Sequence, residues 1–156
     1  MRSFLIILLV SISMHVNAQT IVWDEAFRVS DAASIDIKLI DDARQGCWTN
    51  LKEVREYAEE KLRMKGAVVV DLRNSYPLAS NQQYRLDIGV VGNRLYKNGD
   101  GPCNGRVIVE LRTIASINGI YHTALAGRSI GSGLFRNNLN QLTLDMVQSL
   151  MKELKE

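Results

Sequence analysis

Residues 84 to 125, YRLDIGVVGNRLYKNGDGPCNGRVIVELRTIASINGIYHTAL, decide the fold. Tyr84, Leu86, Ile88 and Val90 alternate with Arg85, Asp87 and Gly89, the period of two that marks a strand with one face in the core. Lys97 to Pro102, KNGDGP, carries two glycine turn dipeptides, so the chain reverses there. It returns as Arg106 to Thr113, with Val107, Val109 and Leu111 facing in and Glu110 and Arg112 facing out. Asn118-Gly119 is a strong hairpin signal, and Ile120 to Leu125 is the strand that comes back from it. Strands joined by short reversals lie side by side and antiparallel, and their apolar face needs a second layer to cover it.

The flanking sequence supplies that layer. Upstream, Leu51, Val54, Ala58 and Leu62 fall on one face at helical spacing while charged residues fill the rest, predicting a helix from Leu51 to Lys65. Asn50 with Glu53 three residues on is a capping arrangement, and Gly66 is a natural C′ terminator. Downstream, Leu139, Leu142, Met146, Val147, Leu150, Met151 and Leu154 recur at helical spacing, after a Gly/Ser-rich stretch, Gly127 to Gly133, that reads as a link. Ile35, Ile37 and Leu39 alternate with polar neighbours and predict an early strand. Ala67 to Leu72, AVVVDL, is a β-branched run that suits a strand buried on both faces, next to the strand at 84–90. Tyr76-Pro77 and the polar residues after it read as a loop. The expected domain is therefore α+β and two-layered: a mostly antiparallel sheet of about five strands with two amphipathic helices on one face, in the order β-α-β-β-β-β-α.

The N-terminus says where the domain works. Arg2, the apolar run Phe4 to Ile12, and Val16-Asn17-Ala18 have the pattern of a secretory signal peptide over residues 1–18, leaving Gln19 to Glu156 as a single domain. The apolar run is well short of the roughly 20 residues that span a bilayer, and no lipid-acceptor cysteine ends it, so neither a membrane span nor a lipid anchor is expected. The net charge of +2, falling to +1 without Arg2, gives no pull toward nucleic acid or anionic lipid. Cys47 and Cys103 are the two cysteines, and in an oxidising compartment they are expected to form one disulfide. Thioredoxin-like redox chemistry uses neighbouring cysteines instead.

Candidate chemistry is sparse. His122 is the one histidine beyond the signal and needs a nucleophile, Ser116 or Ser129, with Asp87 or Glu110 to orient it; nothing in the sequence places these together. One imidazole and two distant thiols do not make a zinc site, so neither metal nor cofactor is expected. Gly127 to Gly133 lacks the lysine and following Ser/Thr of a P-loop. Arg85, Arg94, Arg106, Arg112 and Arg128 sit on the strands or at their ends. Several can share the outer face of the sheet in cross-strand ion pairs with Asp87 and Glu110. Trp48, beside Cys47, either packs over the disulfide or anchors a partner, and Trp23 poses the same question. Trp48, Arg85, Arg112 and Arg128 are the candidate partner-binding residues.

The pattern as a whole resembles small bacterial periplasmic and outer-membrane accessory domains, such as the N-terminal domain of TolB and CsgG-like proteins. The likeness rests on the signal, the strand at 35–39, the helix ending in Lys65-Gly66, the run at 67–72, the alternating strands, and the link into the last helix. It implies action by contact and transfers no catalytic residue. The chain departs from many such relatives in lacking the acylated cysteine and in carrying Cys47 and Cys103. The expected function is thus a non-enzymatic secreted or periplasmic accessory protein that contacts an envelope partner. The alternatives are an inhibitor of a secreted hydrolase such as lysozyme, with Asn98 to Asn104 as its wedge, and a small hydrolase using His122.

Overall fold

The computed structural model describes residues 17–22, 27–71, 82–96 and 98–155, with the backbone alone at 17–22 and 115–117. The elements are β1 (Asn17–Val22), β2 (Ser34–Ala43), α1 (Leu51–Met64), β3 (Val69–Val70), β4 (Gln83–Arg94), β5 (Cys103–Ile117), β6 (Ile120–Phe135) and α2 (Asn140–Glu153). They form a six-stranded sheet in the order β1-β6-β5-β4-β2-β3. The α+β class, the mostly antiparallel sheet and the element order from β2 onward are as the sequence predicts.

Inward positions of the meander build the core. Leu86, Ile88 and Val90 of β4 and Val107, Val109 and Leu111 of β5 are fully buried, meeting Val54, Ala58 and Leu62 of α1 and Val147 and Leu150 of α2. The helices touch each other and lie on the same side of the sheet. α1 starts where expected, but the Asn50 side chain caps no backbone group; its amide donates to the Glu53 carboxylate at 3.0 Å instead. Gly66, at φ +85°, ends the helix in the left-handed region as expected.

The Gly/Ser-rich stretch 127–133 is strand, not link. β6 runs through it for 16 residues, and β1, absent from the sequence reading, pairs along its free edge from Asn17↔Ser132 to Val22↔Gly127. Small residues there serve packing: a Cβ on Gly131 would lie 2.8 Å from both Leu142 and Met146, so the glycine lets α2 approach the sheet. One row further, Gly92, Gly105 and Gly133 are register neighbours on three strands, and Leu139 sits on the first two.

The run at 67–72 is also different from expectation. Only Val69 and Val70 are strand, paired in parallel with Ile35 and Asp36 at the sheet edge, and Val68 is 57% exposed. The neighbour of β4 is β2, again parallel, from Ser34↔Gln83 to Ala43↔Gly92. A β-branched run is buried on both faces only when a packed layer covers each face of the sheet; here the helices cover one face, and β2 takes the place beside β4. Leu72, the loop around Tyr76-Pro77, Trp23 and most of the signal lie outside the described residues. The expected cleavage after Ala18 falls within β1 and would leave Gln19 to Val22 paired with β6.

The disulfide forms between Cys47 and Cys103, both fully buried with Cα atoms 5.7 Å apart. It gathers the starts of both helices. The Leu139 N–H donates to the Cys47 carbonyl at 2.7 Å, Thr49 N–H to Asn140 Oδ1 at 3.0 Å, and the Asn140 amide back to Thr49 Oγ1 at 2.9 Å.

Candidate interaction surface

With both helices on one side, the other face of the sheet carries the second set of alternating side chains. Its half nearer the start of β4 is charged. Arg85 Nε donates to Asp87 Oδ1 at 2.7 Å, Arg112 Nε lies 3.4 Å from Asp87 Oδ2 and its guanidinium also holds Glu110, and Arg128 reaches Glu110 Oε1 at 2.5 Å. The register explains the cluster: Arg85 faces Arg112, Asp87 faces Glu110, and Glu110 faces Arg128 across adjacent strands. Three of the five arginines named from the sequence do converge. Their charges are paired within the cluster: Arg85, Asp87 and Glu110 are buried, Arg112 and Arg128 keep just over a third of their side chains exposed, and the buried Arg128 Nε makes no hydrogen bond. Buried pairs of this kind fix alignment more than they add stability. Arg85 therefore belongs to the sheet's own lattice, and Arg112 and Arg128 form its accessible rim.

Beyond the charged cluster the same face carries one apolar row, followed by mixed rows that hold Asp42, Val91, Arg106 and Ser132 and then Asn93, Asn104 and Leu134. Ile40, Gly89, Ile108 and Ile130 follow one another in register across β2, β4, β5 and β6. Ile40, Val91 and Leu134 are exposed, at 37%, 54% and 37%. Outward positions of an antiparallel sheet that faces water are normally polar, and a contiguous apolar patch on such a face marks a contact site.

A further feature projects from the sheet. β4 pairs with β5 only as far as Tyr84↔Thr113, and β1 pairs with β6 only as far as Val22↔Gly127, while the β5–β6 ladder continues to Ile117↔Ile120. Among the described residues, 114–123 thus form a hairpin arm beyond the other strands, turned by Asn118 at φ +53° and Gly119 at φ +77°. Ile120 and Tyr121 on it are 63% and 77% exposed.

At the disulfide end, β2 and β4 run out side by side into a cleft of about 1060 Å³ lined by Asp41, Asp42, Arg44, Asn93 and Tyr96 among others. Arg94 staples its wall, donating to the carbonyls of Gln45 at 3.1 Å and Gly101 at 2.7 Å. Tyr96 is held against Gly101, where any Cβ would lie 2.4 Å from the ring. The loop Asn98 to Asn104 is braced by that staple, by Leu95 N–H donating to the Pro102 carbonyl at 3.1 Å, and by the disulfide at Cys103.

The remaining candidates separate. Trp48 is 4% exposed, in the core beside Cys47, so the packing role holds and it presents no surface for a partner. His122 is exposed on the arm, whereas Ser129 is fully buried on the helix side and donates to Met146 Sδ at 3.4 Å. The two are seven residues apart on one strand, about 23 Å. Asp87 and Glu110 are held by guanidiniums, so neither orients the ring. Among the described residues no group of three or more His, Cys, Asp or Glu is placed to hold a metal ion, and no helix is long and apolar enough to cross a membrane. Sequence reasoning missed the apolar row and the arm. The outward Ile40, Ile108 and Ile130 were the available signal, but their alignment is a property of register.

No protein-family model and no curated protein matches this chain. Solved structures do. A point variant of PelC from Paraburkholderia phytofirmans, a dodecamer, superposes with a TM-score of 0.53 at 16% identity, covering 90% of this chain and 98% of that one. The PelC dodecamer in another crystal form gives 0.51 at 15% identity with the same coverage. Neither is a TolB or CsgG domain, and at these identities the likeness is one of fold: this chain is built on the fold that PelC has.

Proposed function

We propose that the protein is a non-enzymatic accessory component of the cell envelope that works through protein–protein contact and assembles into a homo-oligomer. The observation that carries this reading is the apolar row Ile40, Gly89, Ile108 and Ile130 on the open sheet face, with Val91 exposed beside it, the kind of patch that marks a contact site. A disulfide buried at the junction of both helices suits an oxidising compartment, as does the signal-like N-terminus. The dodecameric state of the PelC structures makes self-association the first contact to look for, and the pattern shared with TolB and CsgG domains adds the envelope. Sedimentation velocity on the oxidised chain from Gln19, followed by capture of periplasmic proteins on it, tests the proposal. A discrete assembly or one stoichiometric envelope partner is expected; a monomer that retains nothing above a denatured control would refute it. The inhibitor reading keeps one observation in its favour, the braced Asn98 to Asn104 loop, since a preordered loop loses little entropy on entering a cleft. A lysozyme inhibition assay decides it.

A further inference from the structure

We infer that the hairpin arm of one copy seats on the apolar row of another's open sheet face, with Tyr121 lying over Gly89. The inference rests on the self-assembly part of the reading above and names the surfaces involved.

Among the described residues nothing covers the arm. An isolated two-stranded ribbon is marginal in water, yet residues 120 to 123 are all exposed, and two of them are large and apolar. It has no ladder partner on either side among the described residues. The open face offers the complement. Gly89 stands between Ile40 and Ile108 in one cross-strand row, and a Cβ built there would meet nothing closer than 3.8 Å. The result is a trough with a glycine floor and isoleucine walls. An aromatic ring laid over a glycine on a sheet fills that kind of gap. On one side of the trough runs the row of Asp87, Glu110 and Arg128, on the other the row of Asp42, Val91, Arg106 and Ser132, so the apolar centre, extended by Val91, is framed mostly by polar groups as in protein interfaces generally.

Geometry makes the contact intermolecular. The arm continues β5 and β6 in the plane of the sheet, and Ile108 of the trough is six residues from Ile114 along the same strand, about 20 Å. The tip cannot fold back to it without breaking the ladder. Arm and trough are different surfaces, so each copy offers one of each and the contact is head to tail, the arrangement that closes into rings when the rotation permits.

The test is the mass of the oxidised chain by sedimentation velocity, with three variants. Tyr121→Asp and Ile120→Asp place charge on the exposed arm, and Gly89→Leu fills the trough from a position where a Cβ meets only ordinary contacts. Each is expected to weaken self-association at least tenfold with unchanged circular dichroism and thermal midpoint. Tyr121→Asp mixed with Gly89→Leu should form pairs and nothing larger, since one good junction remains. A photo-crosslinking residue at position 121 should label the peptide containing Gly89 or Ile108 of a second chain, a readout independent of any folding defect. Variants with the wild-type mass, or labelling elsewhere, would overturn the arm contact while leaving the assembly reading in place. A wild-type chain that stays monomeric at every concentration would remove both.

Discussion

The contact between α2 and the sheet depends on a floor of glycines, and alanine substitutions across it should fall in an order set by what each methyl would strike. At Gly105 a Cβ would stand 2.5 Å from the Val91 carbonyl oxygen, 2.6 Å from Leu139 and 3.0 Å from the Gly92 Cα. Two of these are backbone in the paired strand, so relief requires moving the β4–β5 ladder. At Gly92 the nearest atom is the Leu139 side chain at 2.7 Å, then the Asn104 oxygen at 3.2 Å. At Gly131 the obstacles are the flexible ends of Leu142 and Met146, both at 2.8 Å. Overpacking costs about 1–3 kcal/mol, while replacing a strand glycine returns roughly 0.5–1 kcal/mol of backbone entropy. The expected losses are therefore about 3 kcal/mol for Gly105→Ala, about 2 for Gly92→Ala and about 1 or less for Gly131→Ala. Urea unfolding of the oxidised protein measures them, with a constant m-value as the check that the denatured state is unchanged. Leu139→Ala should cost less in the Gly92→Ala background than its usual ~2–5 kcal/mol alone, because the clashing atoms are gone. Equal stability for Gly105→Ala and wild type, or a larger loss at Gly131 than at Gly105, would refute the reasoning.

Three further outcomes are expected. The Cys47→Ala, Cys103→Ala double variant frees a loop of about 57 residues and should lose about 4 kcal/mol by denaturant titration, the chain-entropy value for that length. Glu110→Gln leaves Arg112 and Arg128 without their shared carboxylate and should destabilise the fold by about 2–3 kcal/mol; the figure is below that for fully buried pairs because both arginines reach solvent. His122→Ala, at an exposed position with no orienting partner among those proposed for it, should stay within about 0.5 kcal/mol of wild type. Loss of any measurable hydrolase activity in that variant would contradict the contact-based reading.

The alternation of Tyr84 to Val90 and of Arg106 to Thr113, the Asn118-Gly119 turn and the helical spacing of Leu51 to Leu62 were legible in the sequence, because each is a local pattern: a strand or helix needs one apolar face, and a reversal needs residues that accept its dihedral angles. Gln45, at φ +56°, shows the limit of such cues, since nothing in its type announces that backbone. The pairing of Cys47 with Cys103 was legible from count and compartment alone.

Placement between strands was not. AVVVDL looks like a central strand, yet two of its residues pair at the edge, because β2 occupies the position beside β4. GRSIGSG looks like a flexible link, yet it lies within β6, where Gly131 admits Leu142 and Met146. Arg85 looks like a surface contact and is buried against Asp87. The same holds for the surface proposed to act: Ile40, Gly89, Ile108 and Ile130 come from four strands, and only register sets them in one row. Composition and period determined that this chain makes a two-layer α+β domain with a disulfide, since those depend on neighbours along the chain. Which side chains share a face, and which remain uncovered, was decided by the tertiary structure, because long-range strand pairing brings together residues whose separation in sequence carries no signal of their contact.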